Sequence, residues 1–145
     1  MNSEPWVIYC DGSAVPNPGR MGLGAVVTAP DGSCHPLSVP AEGRGCNNEA
    51  ELRALMAAMQ YARQQGAAAL VIHCDNSVVV QQLAGTATEP FLRLASLFED
   101  VRTELRSFES TRLVWIPRHR NREADALARA AVGLLPKRLK SLSTI

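Results

Sequence analysis

Four acidic residues stand at predicted boundaries between secondary-structure elements. Two of them directly follow short apolar runs, residues 6–10 and 70–74, and two fall near the start of segments whose apolar residues have helical spacing. They are Asp11, Asp75, Glu51 and Asp125. If the two apolar runs form neighbouring parallel strands, the carboxyl ends of these strands meet at one edge of the sheet. The four carboxylates would then gather at that edge, and their mutual repulsion would favour binding of a cation.

A cluster built from carboxylates alone is typical of a site for Mg²⁺ or Mn²⁺. Hard oxygen ligands select these ions over zinc, and no group of histidines or thiolates accompanies the four acids in the sequence. Two such ions about 3.5–4 Å apart activate a water and stabilise the leaving oxygen in many nucleases. The sequence has no glycine-rich phosphate loop of the kind that nucleotide-triphosphate enzymes use, so no nucleotide cofactor is expected.

Each acid also has a purely local explanation. Glu51, three residues after an asparagine, fits a helix capping box, and Asp125 lies near a helix N-terminus, where the helix dipole favours an acid. Asp11 begins the turn-forming triplet Asp-Gly-Ser, and Asp75 with its following asparagine can cap the next helix. For each residue taken singly, the local explanation is favoured. None of these local explanations accounts for the convergence of four acids on one edge of the sheet.

The spacing of apolar and turn-forming residues predicts the element order β-β-β-α-β-α-α-β-α. Strands are predicted at 6–10, 22–29, 34–39, 70–74 and 112–116, and helices at 48–65, 77–83 and 90–108. A last helix is predicted to be capped by Asn121 and to bury one stripe. That stripe comprises Ala124, Leu127, Ala128, Ala131 and Leu135. The first three strands form an antiparallel meander, and a crossover places the fourth parallel to the first, so the fold class is α/β.

Length and composition indicate one globular domain. The chain has 145 residues, of which 46% are hydrophobic and 20% are charged. We expect the domain to span residues 1–135 and a mobile basic tail to follow at 136–145. No apolar stretch approaches the ~18 residues of a membrane span, and the start lacks the features of a signal peptide, so a cytoplasmic protein is expected. The cysteines lack Cys-x-x-Cys spacing, and we expect reduced thiols.

Charge is distributed unevenly along the chain, although the formal net charge is +1. Residues 1–110 carry 7 basic against 12 acidic side chains, whereas residues 111–145 carry 8 against 2. The basic end is a candidate surface for phosphate groups. Its candidate residues are Arg112, Arg118, Arg120, Arg122, Lys137, Arg138 and Lys140. A solvated tail that serves only solubility is an equal alternative.

Four motifs in a fixed order carry a resemblance to a known family. They are Tyr9-Cys10-Asp11-Gly12-Ser13 with Asn17-Pro18-Gly19, Asn47-Asn48-Glu49-Ala50-Glu51-Leu52, Cys74-Asp75-Asn76-Ser77, and Pro117-Arg118-His119 with Glu123-Ala124-Asp125-Ala126-Leu127-Ala128. Over residues 7–132 the chain resembles ribonuclease H of type 1, in the compact form without a basic protrusion. The resemblance implies a ribonuclease H-like fold, with a five-stranded mixed sheet flanked by helices.

The same resemblance implies a metal-dependent endoribonuclease that hydrolyses the RNA strand of RNA/DNA hybrids. Two Mg²⁺ ions, replaceable by Mn²⁺, would be held by the residues that match the family's four acids. These are Asp11, Glu51, Asp75 and Asp125. Water would be the nucleophile, and the products would carry 5′-phosphate and 3′-hydroxyl ends. The hybrid duplex is the expected partner, and cleavage would show little sequence preference. The enzyme is expected to be a monomer.

Helix geometry agrees with one detail of this match. Glu51 borders the apolar stripe of its predicted helix, whereas Glu49 lies about 160° around the helix from Glu51 and faces elsewhere. Glu51 is therefore the residue that matches the family's acid.

The resemblance assigns further residues to catalysis and to substrate binding. The family's loop histidine, which assists proton transfer or product release, matches His119, and an exposed histidine without a catalytic role is the alternative. Six residues match positions that line the hybrid groove: Gly12, Ser13, Asn17, Asn47, Asn48 and Ser77. Cys46 stands where many relatives have a threonine, so a hydroxyl contact to phosphate is lost or weakened. Residues 76–110 carry 3 basic against 5 acidic side chains, which is why the protrusion is expected to be absent.

Two other functions stay open at this point. The ribonuclease H-like superfamily includes transposases, integrases and exonucleases with similarly placed acids, although the Asn47-Asn48-x-x-Glu51 motif and the compact length favour the hydrolase. A non-catalytic module that binds RNA/DNA hybrids is the second alternative. Such a module would usually have lost an acid, and the presence of all four favours catalysis.

Overall fold

A single five-stranded sheet with helices on both faces organises residues 3–137, which are the residues that the computed structural model describes. The strands are β1 (Trp6–Val15), β2 (Gly19–Thr28), β3 (Cys34–Gly45), β4 (Ala69–Cys74) and β5 (Ser110–Trp115). The helices are α1 (Asn47–Gln64), α2 (Ser77–Ala84), α3 (Ala95–Arg106) and α4 (Arg122–Ala131). The strand order is β3-β2-β1-β4-β5. The predicted α/β fold with a five-stranded mixed sheet is confirmed.

The predicted meander and crossover are both present, but β1 is longer than predicted. β1, β2 and β3 pair antiparallel, and β4 and β5 add in parallel on the other side of β1. The ladder between β1 and β2 continues past Asp11 to Val15, which lies opposite Arg20. The turn lies at residues 16–18, where turn-forming residues predict it, whereas the Asp-Gly-Ser triplet lies within the strand. Backbone pairing with β2 outweighs the local turn preference of that triplet.

The main core lies between the sheet and the layer of α1, α2 and α3. Alternate residues of β1 and β4 point into it, as the period of two in a strand requires. α1 covers them with an apolar stripe at helical spacing, and α3 adds Phe98 and Val101. The stripe on α1 comprises Leu52, Leu55, Met59 and Ala62. This layer fixes how α1 enters the site described below.

Small residues bring α4 directly against the opposite face of the sheet. Ala124 and Ala128 of α4 are fully buried. A Cβ added to Gly22 or Gly24 of β2 would overlap the α4 backbone at these alanines. The pairing of glycine with alanine therefore sets the short distance between α4 and β2, and with it the position of the first turn of α4 at the sheet edge.

Two predicted helix boundaries are wrong. α4 ends at Ala131, because Gly133 adopts a φ of 79° that closes the helix, and Leu135 is 81% exposed instead of completing the inner stripe. The helix predicted at 90–108 is a 3₁₀ turn, Leu92–Leu94, followed by α3, because Phe91 leaves the helical region with a ψ of 83°. The predicted mobile tail falls almost wholly outside the described residues. Within 3–137, no helix has both the length and the apolar character needed to cross a bilayer.

Candidate active site

Asp11 and Asp75 lie beside each other where the parallel ladder between β1 and β4 ends. The last paired residues are Cys10 and Cys74, and each acid is the next residue along its chain. Asp11 lies inside β1, because β1 continues beside β2 after β4 has ended. A longer β4 would fill the space next to Asp11. Because β4 ends before it, that space is open to groups from both faces of the sheet. Carboxylate oxygens of Asp11 and Asp75 lie within 4.8 Å of each other.

α1 brings Glu51 to the same place from the core side of the sheet. Gly12 allows this approach, because a Cβ there would overlap the α1 backbone at Ala50 and Glu51. The N-cap of α1 is Cys46, whose Sγ accepts the backbone N–H of Glu49 at 3.4 Å. The capping-box explanation for Glu51 is therefore wrong. Glu51 is only 3% exposed, and one carboxylate oxygen lies within 4.8 Å of oxygens of both Asp11 and Asp75.

Asp125 completes the set from the other face of the sheet. It lies in the first turn of α4, and its side chain lines the same groove as the other three acids. Lys137 Nζ lies 4.0 Å from Asp125 Oδ1, with both side chains open to solvent. All four acids singled out in the sequence therefore border one groove, although they come from four separate segments of the chain.

Burial and mutual repulsion oppose ionisation of this cluster. Burial, together with the charges of Asp75 and Asp125, raises the pKa of Asp11 to about 7. Burial raises the pKa of Glu51 well above its ordinary value, and the neighbouring Cys74 and Asp11 add to the effect. Burial also raises the pKa of Asp75, although a hydrogen bond from an asparagine opposes the rise. A divalent cation would stabilise the charged forms and reverse these shifts.

The donor set of the groove fits a hard divalent ion. Asp11, Glu51, Asp75 and Asp125 offer oxygen ligands, which Mg²⁺ and Mn²⁺ prefer. Three of the carboxylates converge within 4.8 Å of one another, although like charges repel at such separations. Chemistry and charge at this edge of the sheet therefore match the kind of ion that the four acids predict.

Asn121 connects the cluster to the sheet, a role that the sequence analysis missed. Its Nδ2 donates to Asp75 Oδ2 at 2.8 Å and to the Cys10 carbonyl oxygen at 2.9 Å. The residue is 1% exposed, and its Oδ1 has no hydrogen-bond partner among residues 3–137. Asn121 is the N-cap residue of α4, as predicted, but its side chain makes no capping hydrogen bond. The available signal was its position one helical turn before Asp125.

Replacing Asn121 by alanine is expected to cost about 1–3 kcal/mol of unfolding free energy, because the buried Cys10 carbonyl loses its donor. The Mg²⁺ concentration that half-saturates activity is expected to rise by roughly 10–100-fold, since Asp75 loses the group that orients it. Urea denaturation and a Mg²⁺ titration of activity measure the two effects. A loss of stability with an unchanged Mg²⁺ titration would contradict the positioning role.

The cluster lies on the floor of an open groove with a volume of about 850 Å³. All six residues predicted to bind substrate line this groove: Gly12, Ser13, Asn17, Asn47, Asn48 and Ser77. His119, in the 3₁₀ turn Arg118–Arg120, lines it as well. The structure thus brings the predicted catalytic and substrate-binding residues to one surface, and it adds Asn76 and Val78, which the sequence analysis did not assign.

Hydrogen bonds orient the asparagines around the groove. Asn47 Oδ1 accepts the Ala14 backbone N–H at 2.9 Å, and Asn17 Oδ1 accepts the Asn47 backbone N–H at 3.1 Å. Asn76 Nδ2 donates to Asn48 Oδ1 at 2.7 Å. In these bonds Asn17, Asn47 and Asn48 all use their oxygens. Their NH₂ groups are therefore the atoms that can donate to a ligand in the groove.

Four basic side chains among residues 3–137 line the groove. The set comprises Arg118, Arg122, Arg129 and Lys137. Arg129 was missed, although it lies one helical turn after Asp125 on α4. Arg120 borders a different pocket, and Arg112 lies on β5, so neither is among the described residues that line the groove. The other two candidates, Arg138 and Lys140, lie outside the described residues.

Known proteins match most of this chain. A family model described as reverse transcriptase-like matches residues 9–131. The bifunctional protein Rv2228c of Mycobacterium tuberculosis is 36% identical over 127 residues, which cover 87% of this chain and 35% of that protein. The chain thus spans about a third of the length of the mycobacterial relatives that it matches.

Solved structures share the fold. The crystal structure of RNase H1 from the archaeon Halobacterium salinarum has a TM-score of 0.83 and 31% identity, and covers 89% of this chain and 98% of that one. LC11-RNase H1, isolated from compost by a metagenomic approach, was solved in complex with an RNA/DNA hybrid. That structure has a TM-score of 0.79 and 28% identity, and covers 95% of this chain and 99% of that one. This chain belongs to the reverse transcriptase-like family, in the ribonuclease H-like group that its motifs indicated.

Proposed function

We propose that this protein is a metal-dependent endoribonuclease that hydrolyses the RNA strand of RNA/DNA hybrids. The observation that carries the proposal is the convergence of Asp11, Glu51, Asp75 and Asp125 on the floor of one groove. Amide donors and arginines surround this floor, as binding of a sugar-phosphate backbone requires. Support also comes from two similar proteins, one named RNase H1 and one solved with a hybrid bound.

The four carboxylates would hold two divalent ions, Mg²⁺ or Mn²⁺. When bound, the ions supply the positive charge that activates a water and stabilises the leaving oxygen of an in-line displacement. Asp11 lies beside the other acids and would bridge both ions. Glu51 and Asp75 would complete the ligands of one ion, and Asp125 would serve the ion next to the attacking water. The products would carry 5′-phosphate and 3′-hydroxyl ends.

His119 would assist the reaction at the wall of the groove. Its imidazole lies among the lining residues with Arg118 and Arg122, in a 3₁₀ turn that directly precedes α4. Its imidazole can take up or release a proton as product leaves. Arg118 and Arg122 would hold the phosphates that flank the cut.

The asparagines would recognise the hybrid by its backbone. The NH₂ groups of Asn17, Asn47 and Asn48 can donate to 2′-hydroxyl or phosphate oxygens, and Ser77 offers a hydroxyl. The 2′-hydroxyl distinguishes RNA from DNA. Contacts of this kind read sugars and phosphates instead of base edges, so cleavage would show little sequence preference.

Cleavage of a uniform RNA/DNA hybrid in Mg²⁺, Mn²⁺ and EDTA tests the proposal. Single-stranded RNA, double-stranded RNA and double-stranded DNA serve as parallel substrates, and the ends of the products are mapped. We expect cuts confined to the RNA strand of the hybrid, dependent on the metal, with 5′-phosphate ends. Cutting of double-stranded DNA would indicate another nuclease of the same superfamily. Binding of the hybrid without any cutting would indicate a non-catalytic module.

A further inference from the structure

Two buried cysteines lie directly beneath the acidic cluster. Cys10 and Cys74 are paired residues at the end of the parallel ladder between β1 and β4, so their side chains point to the same face of the sheet. Their exposed fractions are 0% and 1%. Each stands one residue before a proposed Mg²⁺ ligand, yet neither is among the described residues that line the groove.

Glu51 connects this thiol pair to the groove. Cys74 Sγ lies 3.8 Å from Glu51 Oε2, and the ligand atoms of Cys10, Cys74 and Glu51 all lie within 4.8 Å of one another. Cys10 Sγ also lies 3.8 Å from the backbone carbonyl oxygen of His73. Glu51 therefore borders two clusters of ligand atoms, one made of oxygens and one that contains two sulfurs.

We infer that Cys10, Cys74 and Glu51 form a second metal site, selective for thiophilic divalent ions such as Zn²⁺ and Cd²⁺. Thiolates select such ions, whereas Mg²⁺ takes oxygen ligands. A tetrahedral Zn²⁺ site, with Zn–S about 2.3 Å and Zn–O about 2.1 Å, separates neighbouring S and O ligands by about 3.6 Å. The 3.8 Å between Cys74 and Glu51 already matches that separation.

Occupation of the thiol site weakens the hold of Glu51 on an ion in the oxygen cluster. An ion among the sulfurs takes up part of the negative charge that Glu51 offers to the groove, and two cations that share one carboxylate repel each other. A thiophilic ion bound here is thus an inhibitor of the hydrolase, and this consequence rests on the proposed function. The binding itself does not rest on that function, since it depends on the three ligands alone.

A Cd²⁺ titration tests binding, with the ultraviolet charge-transfer absorbance of Cd²⁺–thiolate bonds as the readout. The parent protein is Cys34→Ser/Cys46→Ser, which removes the two cysteines outside the buried pair. We expect saturation at one Cd²⁺ per chain, and loss of the band in the same parent carrying Cys10→Ala and Cys74→Ala. If that variant does not fold, the single replacements Cys10→Ala and Cys74→Ala must each weaken binding by about tenfold or more.

Cleavage of the hybrid in excess Mg²⁺, with Cd²⁺ or Zn²⁺ added, tests inhibition on the same proteins. The parent is expected to lose activity as the thiolate band saturates, and the variant without the thiols to need at least about tenfold more Cd²⁺ for the same loss.

Absence of the thiolate absorbance band, or its persistence without Cys10 and Cys74, would overturn the proposed metal site. Equal inhibition of the parent and of the variant without the two thiols would overturn the proposed effect of the bound ion on Glu51. A parent with no hydrolase activity would refute the proposed function, while the absorbance would still decide the thiol site.

Discussion

Asp11→Asn is expected to lower the rate of hybrid hydrolysis by at least roughly 10³-fold, or about 4 kcal/mol of transition-state stabilisation, with the protein still folded. Asp11 lies beside the other three acids, and the residue is 7% exposed. Asparagine keeps the shape of the side chain and one oxygen, but it removes the negative charge that the proposed metal site would use to hold its cations. Single-turnover cleavage and circular dichroism measure the two parts of this expectation.

Glu49→Gln is the matched control for loss of an acid near the site. Glu49 lies on α1 two residues before Glu51, but its carboxylate forms a 2.8 Å salt bridge with Arg53 at the surface. An exposed pair of this kind contributes little to stability, typically below about 1 kcal/mol. The control is expected to keep the activity of the wild type. Substantial activity in Asp11→Asn, or an equal loss in Glu49→Gln, would contradict the proposed assignment of the acids.

The metal-free protein is expected to lose stability as the pH rises from about 4 to 7. Burial raises the pKa of Asp11 from 3.8 to about 7, so between these values the folded state holds a proton that the unfolded state has released. Because the folded state binds more protons, unfolding free energy falls with rising pH over this window. The stabilisation is complete below pH 3.8 and is lost as the pH passes about 7. Its size is roughly 2–4 kcal/mol.

Urea denaturation in EDTA at pH 5 and pH 8, for the wild type and Asp11→Asn, measures this effect. Asparagine carries no charge at either pH, so the variant is expected to gain stability over the wild type at pH 8 and to gain little at pH 5. Mg²⁺ at about 100 times its Kd should restore about 2.7 kcal/mol to the wild type at pH 8. If the free energy of unfolding depended on pH in the same way in the wild type and the variant, Asp11 would not be a repelled, buried carboxylate.

Local pattern was enough to predict most elements of the fold. Strand periodicity, helical spacing and turn-forming residues gave the element order, the antiparallel meander and the parallel placement of β4 beside β1. Errors fell at boundaries. β1 runs on through Asp11 to Val15 because β2 pairs with it, and a single sequence does not contain the strength of that pairing.

The candidate acids were predictable because their positions along the chain carry the signal. Asp11 and Asp75 each follow an apolar run, and Glu51 borders the apolar stripe of α1, so simple rules for strand ends and helix faces bring them to one edge. The structure places all of them on the floor of the groove with Asp125. The local explanation of Glu51 as part of a capping box was wrong, because Cys46 caps α1, two residues before the asparagine at which that capping box would begin.

The sequence by itself determined the element order, the fold class and the positions of the four acids, because each rests on spacing between near neighbours in the chain, whereas His119 and the substrate-binding residues were assigned only through the family resemblance. Only the tertiary structure decided what supports those acids. Asn121 bonds to groups 46 and 111 residues away, and Cys74 meets Glu51 across 23 residues. Such contacts depend on how α4 and α1 pack on the sheet. Close approaches of backbone at Gly12, Gly22 and Gly24 set that packing, because these residues have no Cβ. The need for glycine at these positions leaves no periodic pattern in the sequence.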